Sequence, residues 1–111
     1  MTAFSFFLFS MFYVYILHSA GLDKFYVGHS HNPWNRLNQH LNNEGEKFTG
    51  KAKDWELVAI FRVSDIRGEA EKMEKFIKKQ KSKSLILKLI DPEFVPIGAL
   101  APMVRVPPMR N

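Results

Sequence analysis

Five side chains stand out for what they could do together: Tyr15, Tyr26, Arg36, His40 and Glu74. Taken singly, each has an ordinary explanation. A strand tyrosine packs, Arg36 and His40 can lie on a solvated helix face, and Glu74 can pair with Lys78 for roughly a few tenths of a kcal/mol. Gathered on one surface, they meet the minimum needs of phosphodiester hydrolysis. These are a carboxylate for a hard divalent cation, a guanidinium to neutralise charge on phosphorus, and a proton acceptor for the oxygens that attack and leave. Other chemistries lack their parts. There is no Ser-His-Asp order, no Gly-rich phosphate loop and no cysteine, which removes Cys–His pairs, thiolate metal sites and disulfides. His29-x-His31 puts two imidazoles on the same side of an extended segment, but no third ligand lies nearby, so a zinc site is not expected.

The elements that would carry these residues follow from local pattern. Phe12 to Leu17 and Lys24 to Gly28 are aromatic and β-branched, with turn residues Ser19 to Asp23 between them, which predicts a β-hairpin. A turn centred on Ala20-Gly21 puts Ile16 opposite Phe25 and Tyr15 opposite Tyr26, with both phenols on one face. Asn32-Pro33 starts a helix, since Asn caps free amides and Pro at the first position loses nothing. Trp34, Leu37 and Leu41 form its expected buried stripe, with Arg36 and His40 stacked nearly opposite. Glu56 to Val63 has the length and composition of a third strand. Ser64 and Asp65 can cap a second helix with apolar positions Ile66, Ala70, Met73, Phe76 and Ile77. Glu74 flanks that stripe, facing the sheet or its rim. A break at Ser82 or Ser84 leads to a short helix, Leu85 to Ile90. The order is β-β-α-β-α-α, an α+β unit.

The chain ends differ from this unit. Residues 1–11 hold Phe4, Phe6, Phe7, Leu8 and Phe9 with no basic residue. They are too short to span a bilayer and lack the basic start of a secretory signal. A dispensable extension is the expectation, and its rival, a membrane-surface anchor, would ordinarily carry Lys or Arg; no stable membrane association is expected. Residues 91–111 hold five of the six prolines, which forbids a long helix or a central strand. This stretch reads as an extended appendage, docked through Phe94, Val95, Ile97 or Leu100 if at all. The charge belongs to residues 12–90: fourteen Lys and Arg against nine Asp and Glu there account for the whole net +5. From Lys72 to Lys88 there are seven lysines and one acid, a pattern that fits either a solvated helix face or a polyanion-binding surface.

Tyr13-Val-Tyr15, Tyr26-Val-Gly28, Arg36, His40 and Glu69-Ala-x-x-x-Glu74-x-x-Ile77-Lys78, in that order and spacing, resemble the GIY-YIG nuclease domain over residues 12–90. The likeness is greatest to small stand-alone bacterial members related to the nuclease domain of the excinuclease C subunit. Tyr13 stands where the superfamily name has Gly. The resemblance implies a three-stranded antiparallel sheet flanked by helices and a cytoplasmic endonuclease that hydrolyses DNA in repair or processing, with RNA left open as a substrate. It further implies one Mg²⁺ or Mn²⁺ held by Glu74, Tyr26 as general base or water-orienting phenol, and Tyr15 as its companion. Arg36 would bind the scissile phosphate, and His40 would assist proton transfer or phosphate positioning. A free phenol titrates near 10, so such a base needs a metal or cation beside it. Lys47, Lys51, Lys53, Lys75, Lys78, Lys79 and Lys81 are the expected phosphate-tracking residues. The rival is a nucleic-acid-binding module with weak or no cutting, against which stands the filling of every expected polar position.

Overall fold

The computed structural model describes residues 11–42 and 52–108. Alternating side chains and β-branched content produce strands β1 (Phe12–Ser19), β2 (Lys24–Ser30) and β3 (Trp55–Ser64), each slightly longer than the sequence pattern. Between and after them come helices α1 (Pro33–Leu41), α2 (Arg67–Gln80) and α3 (Lys83–Ile90). The sheet has a fourth strand, β4 (Val104–Val106), and its order is β2-β1-β3-β4, antiparallel throughout. The expectation of three strands is therefore corrected. Val104-Arg105-Val106 alternates over just three residues, and prolines at 102, 107 and 108 confine it to a short edge strand on β3.

The C-terminal segment packs against the domain. Leu100 and Met103 are buried in the core and Phe94 packs on it, whereas Val95 and Ile97 are exposed. Arg105 fastens the segment. It stacks on Phe61 and donates to the carbonyls of Leu89, Asp91 and Phe94, the first two at the end of α3, which satisfies carbonyls that a helix end leaves open.

Each face of the sheet carries its own core. One cluster joins Val14, Ile16, Val27, Ala59 and Phe61 to Met73 and Ile77 of α2 and Leu89 of α3. The other joins Tyr15, Leu17, Trp55 and Ile60 to Trp34, Leu37 and Leu41 of α1. Trp55 and Ile60 are an odd number apart and would face opposite ways in an unbroken ladder. A register shift between Ile16 and Leu17, which skips Val58 in β3, brings both to the α1 side. On α2, Ala70, Met73 and Ile77 are buried as expected, but Ile66 and Phe76 are exposed. Helix α2 begins one residue past Ile66 with no side-chain cap; the Ser64 hydroxyl instead accepts from the Ile66 amide.

The β1–β2 register differs from the expected one by two residues: Tyr15 lies opposite Gly28, Ile16 opposite Val27 and Leu17 opposite Tyr26. The connection is a four-residue loop, with Asp23 in the left-handed region. A distant carboxylate fixes it. Asp54 accepts from the Ser19 hydroxyl at 2.6 Å and the Gly21 amide at 2.8 Å, and these two bonds hold its carboxyl below the usual range. Because the shift is an even number, Tyr15 and Tyr26 still share a face, now as diagonal neighbours. Among the described residues, no helix is long and apolar enough to cross a membrane.

Candidate active site

The candidate site is built around the open edge of β2. Tyr26 and Gly28 face α1, and Val27 and His29 face α2, as strand alternation requires. Gly28 is needed because the Tyr15 ring lies across it: an added Cβ would meet Tyr15 Oη at 2.5 Å, Tyr15 Cζ at 2.6 Å and Tyr26 Cε1 at 3.0 Å. The glycine lets two phenols crowd over a strand edge, with ring centroids 6.4 Å apart.

Helix α1 delivers His40 to those phenols. Its Nε2 lies 2.9 Å from Tyr15 Oη, and its ring meets Tyr26 edge-on at 4.8 Å between centroids. His40 is wholly buried, which corrects the expectation of a polar face opposite the apolar stripe. At ~100° per residue His40 sits on the flank of Leu37 and Leu41, and with Pro33 it is one of the buried residues of the helix. Burial first, and the Arg36 guanidinium second, lower its pKa from 6.5 to about 4; at neutral pH it is an uncharged imidazole. Arg36 is half-buried and donates to Gln39 Oε1 at 2.6 Å.

Glu74 comes from the other side of the sheet. Its side chain is 15% exposed, beside the buried Ala70, Met73 and Ile77 row, so it reaches the rim as the sequence suggests. One oxygen lies 2.6 Å from His29 Nδ1, and the other accepts from Lys78 Nζ at 2.6 Å. Lys78 Nζ in turn lies 5.4 Å from the Tyr26 ring centroid. A continuous path of contacts therefore runs His29, Glu74, Lys78, Tyr26, His40, Tyr15, passing from the α2 side to the α1 side around the β2 edge. In the sequence, His29 stands out only as half of the His29-x-His31 pair and not as a partner of Glu74. Its signal was parity, since it follows Val27 by two and so faces α2.

The remaining candidates are more dispersed. Lys75 pairs with Glu71 at 3.6 Å and Lys72 with Glu69 at 3.9 Å, both on the exposed side of α2. Lys53, Lys79 and Lys81 are exposed, and Lys81 ends α2 in a left-handed conformation. Lys47 and Lys51 lie outside the described residues. Among the described residues no group of three or more His, Asp or Glu side chains gathers as a metal cluster. Glu74 offers a single largely buried carboxylate whose oxygens are engaged by His29 and by the Lys78 ammonium, so a hard divalent ion there would use their remaining lone pairs against the repulsion of Lys78 and take most of its other ligands from water.

No curated protein matches the sequence. A model of the GIY-YIG catalytic domain matches residues 11–86. That stretch takes in β1, β2, α1, β3, α2 and all five residues that the sequence singles out, and the chain belongs to the GIY-YIG catalytic domain family, a family of endonucleases.

Proposed function

We propose that this chain is a divalent-metal-dependent endonuclease that hydrolyses phosphodiester bonds in DNA, with DNA repair or processing as its setting. The observation that carries the reading is the contact path around the β2 edge, which unites a carboxylate, a cation, two phenols and two imidazoles from four separate elements. In this reading Arg36 binds the scissile phosphate as a planar donor fork, and Tyr26 orients the attacking water or takes its proton. The Lys78 ammonium over the Tyr26 ring stabilises negative charge as that proton leaves. Tyr15 holds Tyr26 in place and shares its own hydrogen bond with His40. Being buried and uncharged, His40 acts through Tyr15 and not on the phosphate. Glu74, oriented by His29, would hold Mg²⁺ or Mn²⁺, which would supply positive charge to offset the negative charge developing on the phosphate. Lys53, Lys75, Lys79 and Lys81 are exposed and serve as phosphate contacts, a role that Lys47 and Lys51, outside the described residues, share in this reading.

Incubation of the purified chain with single-stranded, branched and duplex DNA, and with RNA, in Mg²⁺, Mn²⁺ or chelator tests this reading. Cutting that requires the metal and is lost in Glu74→Ala is expected. Cutting that persists unchanged in Glu74→Ala belongs to a contaminant and contradicts the assignment. Salt-sensitive binding with no cutting on any of these substrates marks a binding module instead.

A further inference from the structure

A polar cleft of about 330 Å³ opens beside the path described above, between the end of β2, the start of α1 and the start of α2. His29, His31, Asn32, Asn35, Arg36 and Arg67 are among the residues that line it, and no Asp or Glu is. The composition is nearly all hydrogen-bond donor and cation. It contrasts with the exposed face of α2, where Lys72 and Lys75 are matched by Glu69 and Glu71 on the same helix.

Two of these side chains are held in place by one ring. The Arg67 guanidinium carbon lies 4.6 Å from the centroid of Phe12, and the His31 ring meets the same ring at 6.4 Å and 65°. Phe12 itself is anchored in β1 opposite Ser64. A guanidinium stacked on an aromatic face keeps its N–H edge for planar, two-point contact with a phosphate. Arg67 is also the first residue of α2, where the helix end is electropositive and a cation is locally unfavourable. An anion placed there would offset both. A residue that departs from local preference in this way marks a site with another purpose.

Building on the endonuclease reading, we propose that this cleft is a second phosphate subsite, in which Arg67 and His31, braced by Phe12, hold a DNA backbone phosphate next to the one gripped by Arg36. His29 joins the two, since it lines the cleft and contacts Glu74. The subsite thereby fixes the direction in which the strand leaves the β2 edge, toward the start of α2.

The test pairs protein and substrate changes. DNA oligonucleotides, each carrying one uncharged methylphosphonate, are titrated without metal against the wild-type chain, Arg67→Ala and Arg67→Lys. At one backbone position the methylphosphonate should weaken wild-type binding by about tenfold, the size of one charge-assisted contact. It should cost Arg67→Ala nothing there, and Arg67→Lys should fall between. Arg67→Ala should also lessen the slope of log affinity against log salt by about 0.7–0.9. Arg67 is exposed, so the variants keep the fold, which a melting curve checks. Equal sensitivity of all three proteins at every position overturns the subsite, as does wild-type protein that binds none of the oligonucleotides. The outcomes separate from those of the endonuclease reading. Coupling at one position without metal-dependent cutting leaves the subsite and removes the nuclease, and cutting without coupling does the reverse.

Discussion

The two faces of the sheet solve different problems. The α2 and α3 face is an apolar core whose buried side chains, from Val14 and Phe61 to Leu89 and Met103, carry no titratable group. The α1 face buries Tyr15 and His40 among its apolar residues and sets the half-buried Tyr26 beside them. Burying polar groups costs free energy unless they are paired, and here the phenol and imidazole pair with each other. The first face contributes stability, while the second spends part of its packing on positioning. Glu74 belongs to both, standing next to the apolar row of α2 with its carboxylate at the β2 rim, where Lys78 bridges toward Tyr26.

The comparison can be broken from either side. The largest stability effect is expected on the apolar face. Phe61→Ala should cost about 3–5 kcal/mol, read as a lowered chemical-unfolding midpoint, while folded protein at low temperature keeps its cleavage rate. The α1 face should respond instead to pH. His40 has a pKa of about 4 in the fold against 6.5 as a free side chain, so the unfolded chain binds a proton that the native chain refuses. Stability is fully present above 6.5 and falls as pH drops toward 4, by about 3 kcal/mol in total. His40→Gln should flatten that portion of the stability profile, and an unchanged profile would mean that the imidazole is not buried as described. Next in size is Gly28→Ala. Pressing a methyl against Tyr15 should cost about 1–3 kcal/mol and lower the cleavage rate roughly a hundredfold by displacing the phenols. Smallest in stability is Lys78→Met, about 0.3–0.5 kcal/mol for its pairing with Glu74. If the path around the edge matters, its cleavage rate should nevertheless fall well beyond what the melting curve shows.

The same contrast governs what could be read from residue order. Periodicity revealed the hairpin, three helices and the rim position of Glu74, because these depend on neighbours within a turn or two. The shared face of Tyr15 and Tyr26 was legible even with the register displaced, since parity survives an even shift. The register itself was not, because the hairpin loop is locked by Asp54, thirty-five residues from Ser19. His40 looked solvated for a similar reason. Its position on the flank of the stripe acquires meaning only when two phenols from the sheet are there to receive it. The contact of His29 with Glu74 depends on where α2 crosses β2, which no local pattern encodes. Nor did the short Val104–Val106 segment announce a fourth strand, because three residues between prolines carry almost no periodic signal.

If chemistry occurs where Tyr26 faces His40 and Lys78 around the β2 edge, it depends on the Tyr26 hydroxyl. Single-turnover cleavage by Tyr26→Phe, under conditions where the wild-type chain cuts, removes one oxygen and leaves the ring contacts with His40 and Lys78 in place. A rate reduced by roughly a hundredfold or more, with an unchanged melting temperature, is the expected result. An unchanged rate would show that the Tyr26 hydroxyl takes no part in cleavage.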